Sequence, residues 1–170
     1  MLELISRLSK DQKKFLLLCL GFSFLITLDY SCLRPVSSAL FITFFGAKLL
    51  PWVWLLSLPV NFFVVSIFNR IQNSIGSIKL AKLFPWLVIC INFILTLSLS
   101  HNPKFSLILF IWKDLYILLM FQQLWSQIHA SMGSSVNKAF YGLMYTLGAL
   151  GSLCGSSIPL FLQIIVQVLV

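Results

Sequence analysis

Asp29-Tyr30-Ser31-Cys32-Leu33-Arg34-Pro35 interrupts a stretch that is otherwise apolar or small between positions 15 and 45. An acid, a base and a proline follow fourteen such residues, after which the apolar run resumes. One charge at the bilayer centre costs about 2.5 to 3.5 kcal/mol even on the lenient insertion scale. Both signs in one spanning segment therefore call for a water-filled cavity or a protein partner, as on a helix lining a polar pathway. The alternative is a pair snorkelling near the outer headgroups.

The rest of the chain has the same solvent. Of 170 residues 59% are hydrophobic and 9% charged, and mean hydropathy is +0.99. A soluble domain needs about 25% charge to cover its surface. The net charge of +8 would suggest nucleic acid in a soluble protein, but here the basic residues are scattered between apolar runs and act as topology signals. Cys19, Cys32, Cys90 and Cys154 lie far apart inside apolar runs, which argues against a disulfide framework or a zinc site.

Five spans are expected, at about 15–45, 49–68, 83–99, 105–128 and 139–170, all within one transmembrane domain covering 1–170. A basic lead with Arg7, Lys10, Lys13 and Lys14 precedes the first. It lacks a small-x-small cleavage pattern and several spans follow, so a signal peptide is not expected. The first span exceeds the ~20 residues that cross the hydrocarbon and must tilt, extend or break at Pro35. Gly46 and Lys48 mark a turn; 69–79 reads as a polar connector; His101-Asn-Pro-Lys104 reads as a tight turn; 131–138 reads as a polar break. Gly142, Gly148, Gly151 and Gly155 let helices approach closely in lipid, and Pro159 allows a kink. The lead, Arg70, Lys79, Lys82 and Lys138 supply eight basic residues on one side, against Lys48 and Lys104 on the other. That bias places the N-terminus in the cytoplasm and, after five crossings, the C-terminus outside.

Ionisable groups at membrane depth occur in the first span (Asp29, Arg34) and the fourth (Lys113, Asp114). Lys113 lies about 13 Å along the helix from Lys104, near mid-bilayer. Lys113, Tyr116, Met120, Gln123 and Gln127 share one helical face, suited to a polar lumen. Adjacent residues diverge by about 100°, so Lys113 and Asp114 cannot both face that lumen squarely; satisfaction against a neighbouring subunit is the alternative. Asp29 and Arg34 diverge by about 140°, and a direct pair would need a kink at Pro35. His101 and His129 have no second histidine or paired carboxylate beside them, and no phosphate-binding glycine loop is present. An enzyme, a cofactor and a metal are not expected.

Asp29-Tyr30-Ser31-Cys32-Leu33-Arg34, with Leu40, resembles the first-span motif N-Y-x-x-L-R-D-x-K-D-x-L of the Tlc-type ATP/ADP translocases of intracellular bacteria and plastids. Trp125 and Lys138-Ala-Phe140-Tyr141-Gly142-Leu143 resemble that family's tryptophan-rich fourth helix and its entry to the fifth. The resemblance implies a major-facilitator-like fold, with helices one and four lining a central cavity, in the bacterial inner membrane. The implied fold class is thus all-α integral membrane, a five-helix bundle like a truncated N-terminal half of a major facilitator transporter. Pro35, Ser37 and Ser38 stand where the family has acid, lysine and acid, and Lys113 where its fourth-helix glutamate falls; only Tyr30 and Arg34 carry over. The expected function is a truncated or split transporter of nucleotides or other anionic metabolites. Candidate substrate-binding residues are Arg34, Lys113, Tyr30, Asp29, Gln123 and Gln127, with Arg34 meeting Asp29 when the groove is empty. Expected partners are the lipid bilayer, a nucleotide or phosphorylated metabolite, and a second membrane chain that completes the transporter; nucleic acid is not expected. The alternative is a non-transporting accessory protein that packs against another membrane chain through Gly148, Gly151 and Gly155.

Overall fold

Lipid offers no water to an open backbone, so each crossing must satisfy its own N–H and C=O groups, as a helix does unaided. The computed structural model describes residues 9–99, 101–131 and 134–169, with the side chains of 134–139 and 162–169 outside the description. What was expected of Arg7, of the Lys138 side chain and of Val170 lies outside the described residues or side chains. Five α-helices follow one another: α1 (Lys10–Phe45), α2 (Leu50–Ile75), α3 (Ser77–Leu99), α4 (Phe105–Ser131) and α5 (Ser134–Leu169), with a 3-10 turn at Ala47–Leu49. Each carries a segment long and apolar enough to cross a membrane, and there is no strand among the described residues.

Local chemistry sets the helix ends. Ser9 opens α1 with a capping box: its hydroxyl accepts from the Gln12 N–H at 3.2 Å, and the Gln12 side chain accepts from the Ser9 N–H at 3.0 Å. The helix therefore starts earlier than hydropathy alone suggests. It passes through Pro35 without a break, so α1, 36 residues and about 54 Å long, must tilt or extend beyond the ~30 Å core. Gly46 ends α1 with φ +81°, its N–H donating to the Ile42 carbonyl at 2.9 Å.

The polar connector expected at 69–79 is instead almost entirely helical. Asn69, Arg70 and Gln72 extend α2 past its apolar core, and only Gly76, at φ +92°, departs from helix before α3 begins at Ser77. Polar side chains at the headgroups do not oppose helix; a left-handed backbone there does call for glycine. Likewise α3 begins at Ser77 rather than near position 83, with Pro85 inside it, and α5 begins at Ser134 rather than after position 138. The turn after α3 is as expected: the His101 and Asn102 N–H groups donate to the Ser98 carbonyl, and the Asn102 side chain accepts from the Lys104 N–H at 3.0 Å.

The described chain groups into two compact units, Leu33–Gln123 and the chain on either side of it, with the boundaries inside α1 and α4. In the Leu33–Gln123 unit, Phe68, Leu80, Phe84, Val88, Tyr116 and Leu119 form one core, against which Leu33 packs. Phe41, Val53 and Phe110 form another, the two phenyl rings 4.9 Å apart. Apolar contact alone distinguishes poorly between protein and lipid, so helices in a bilayer are also joined by polar contacts. Trp112 donates to Asn92 at 2.9 Å, Gln122 to Asn69, and Gln123 to the Ser77 carbonyl at 2.7 Å.

The other unit is built on close approach. A side chain at Gly151 or Gly155 would collide with the backbone carbonyls of Phe24 and Leu28 on α1, and one at Gly148 would touch Thr27 at 3.4 Å. Ser23 donates to the Met144 carbonyl at 3.3 Å, and the Ser31 and Ser152 hydroxyls lie 2.7 Å apart. The glycine face expected to dock a second chain is thus occupied by α1 of the same chain.

Candidate functional site

Helix periodicity places Lys113, Tyr116, Met120, Gln123 and Gln127 on one face of α4. Lys113, Tyr116 and Gln123 are buried, and Met120 and Gln127 are half-buried. Within the Leu33–Gln123 unit this face is turned into the protein. It is not one continuous lumen, however, because its members are differently engaged. Gln123 is held at the start of α3, its amide donating to both the carbonyl and the hydroxyl of Ser77 (2.7 and 3.2 Å). It therefore fastens α4 to α3, about 15 Å along the helix from Lys113.

Lys113 carries the strongest electrostatics. Its ammonium donates to Asp114 Oδ2 at 3.1 Å and sits 3.9 Å from the centre of the Phe110 ring. The Lys113 side chain is 4% accessible and that of Asp114 30%. The two were expected to diverge, with a neighbouring subunit as the alternative partner. Instead the flexible lysine stem folds back on its own helix to reach the adjacent carboxylate. Burial explains this: an ammonium out of water requires a counter-charge, and Asp114 is the one acid in the sequence between positions 33 and 123. Phe110, three residues earlier and so on the same face, covers the ammonium with its ring. That contact was open to i, i+3 reasoning and was missed.

Arg34 lies near enough to Lys113 for the two positive charges to repel. On α1 it is followed at i+3 and i+7 by Ser37 and Phe41, both fully buried, yet Arg34 itself is exposed. The packed face of α1 therefore opens at Arg34. Ser37 turns its hydroxyl back to the Arg34 carbonyl at 3.0 Å. A long charged side chain does not fit that fully buried position in this packing.

The remaining candidates belong to the other unit: Asp29 is exposed, and Tyr30 and Gln127 are half-buried. Arg34, Lys113 and Gln123 are thus the candidates that share one unit. In the same unit as Asp29, Trp125 packs edge-on against Tyr141 at 4.7 Å, and the Tyr141 hydroxyl lies 3.1 Å from His129 Nε2. Among the described residues no three His, Cys, Asp or Glu side chains gather to hold a metal.

No protein-family model matches the chain, and neither a curated protein nor a solved structure is detectably similar to it.

Proposed function

We propose that the chain is a transporter-like membrane protein for anionic metabolites, nucleotides foremost, acting as a truncated or split half of a major-facilitator-like carrier with its N-terminus in the cytoplasm. The observation that carries this reading is the pair of cations at membrane depth, Arg34 on α1 and Lys113 on α4, within one compact unit of the chain. Cations at membrane depth are costly and mark substrate or ion pathways. Arg and Lys are the side chains that recognise phosphate where water is excluded. The resemblance of positions 29–34 to the Tlc-type translocases adds the nucleotide. No catalytic role is proposed. Uptake of labelled ATP, ADP and phosphorylated sugars into cells expressing the chain tests the reading; it predicts saturable uptake of at least one of these.

A second reading, an accessory bundle beside another membrane chain, is favoured by α2. Trp52, Trp54, Leu58, Phe62 and Phe63 project from it uncovered, whereas the glycine face of α5 is already used. An adjacent reading frame encoding six or seven further spans would support the split carrier; crosslinks from α2 to an unrelated membrane protein, without uptake, would support the accessory role.

A further inference from the structure

We propose that the outward stripe of α3 holds one anionic phospholipid along its length. Lys79 and Lys82 take the phosphate, Trp86 donates to a glycerol ester carbonyl, and the apolar residues as far as Phe93 carry an acyl chain. Such a site needs only that α3 crosses a bilayer, and it holds whether or not the chain transports anything.

Helix periodicity divides α3 into two faces. Leu80, Phe84 and Val88 are buried in the core of their unit. On the other side Lys79, Lys82, Leu83, Trp86, Cys90 and Phe93 are all exposed. At 100° per residue these six lie within about 100° of one another. The stripe is also ordered by depth: the two lysines come in the first two turns, Trp86 one turn further, and apolar side chains after it. Lys82 and Phe93 are about 16 Å apart along the axis, close to half of the ~30 Å hydrocarbon core. From the helix start inward the stripe thus matches a phospholipid in one leaflet: charge, then a ring with a polar tip, then hydrocarbon.

The charge on this stripe calls for a partner outside the protein. Asp114 is the one acid between positions 33 and 123, and it is engaged by Lys113. It also lies about 13 Å along α4 from Gln123, the residue that meets α3 at Ser77. The positive end of the α3 dipole adds to both lysines. Lysine stems run along apolar surface and place their ammonium groups among the headgroups, where they meet phosphate. A zwitterionic headgroup offsets that phosphate with a cation of its own, so the stripe favours a lipid of net negative charge. Trp86, 67% exposed, needs an acceptor for its indole N–H that hydrocarbon lacks. One turn below Lys82, at the level where interfacial tryptophans gather, that acceptor is an ester carbonyl.

Native mass spectrometry of the chain released from nanodiscs of equal phosphatidylglycerol and phosphatidylcholine reads which lipid stays bound. The parent should retain phosphatidylglycerol in preference. Lys79→Gln combined with Lys82→Gln should lower that preference about tenfold or more, at roughly fivefold per lysine. Either single variant, with its fivefold loss, serves if the double variant does not fold. Lys48→Gln combined with Lys104→Gln removes as many cations outside the stripe and should leave the preference unchanged. No preference in the parent, or an equal loss from the Lys48 and Lys104 changes, overturns the proposal, since net charge alone would then explain any attraction. Ether-linked phosphatidylglycerol, which has no ester carbonyl, tests the indole. The parent should retain it about two- to fivefold less than the ester lipid, and Trp86→Phe should retain the two equally. An ester preference that survives Trp86→Phe, or that the parent lacks, overturns the part assigned to Trp86.

Discussion

A single buried ammonium dictates most of what is unusual in this chain. Lys113 is compensated by a neighbour on its own helix, and removing one partner of such a pair costs more than removing both. Asp114→Asn should therefore lower stability by about 1–3 kcal/mol, toward the lower end because Asp114 is partly accessible and its charge partly screened. Lys113→Met together with Asp114→Asn should recover most of the loss. Thermal unfolding in detergent, followed by tryptophan fluorescence, reads both; a double variant less stable than Asp114→Asn would contradict the uncompensated-charge account. At this scale the sequence was partly legible. Periodicity put Lys113 on the inner face of α4. The fold-back onto Asp114 was not legible, since ideal helix geometry separates adjacent side chains and only the shortage of other acids forces them together.

Among elements, the contact between α1 and α5 depends on what is absent from α5. Gly151 and Gly155 admit the α1 backbone so closely that a methyl group would collide with carbonyls, whereas Gly148 meets only the side chains of Thr27 and Ser23. Gly155→Ala should destabilise by about 1–3 kcal/mol as an overpacking change, and Gly148→Ala by well under half of that. Unfolding midpoints of the two variants check the order; equal effects would mean that the helices separate more readily than the structure implies. The Ser31–Ser152 hydroxyl pair adds less: Ser152→Ala should cost about 0.6 kcal/mol, a typical interhelical hydrogen bond in membranes. The density of small residues on α5 signalled a close helix contact. It could not signal which helix, because a small-residue face fits a partner chain and a neighbouring helix equally well. The helical continuation through 69–75 was hidden for a related reason. Polar residues look like a loop, and the one position that leaves the helix is Gly76, marked by its positive φ.

For the whole molecule, five spanning helices imply that successive turns alternate between the two sides of the membrane. With the four native cysteines replaced, Lys48→Cys should react with a membrane-impermeant thiol reagent from outside intact cells. Asn73→Cys, just before the Gly76 turn, should react only after the cells are opened. Labelling of both from the same side would contradict the topology. The number of helices long and apolar enough to span was legible in hydropathy, but the proposed function turns on Arg34 and Lys113, which hydropathy registers only as interruptions. Uptake of labelled ATP by cells expressing the parent or Arg34→Gln, at equal amounts inserted in the membrane, tests the central claim most directly. Saturable uptake by the parent that is lost in Arg34→Gln is the predicted result; uptake unchanged by the substitution, or no uptake of any phosphorylated solute by the parent, would contradict it.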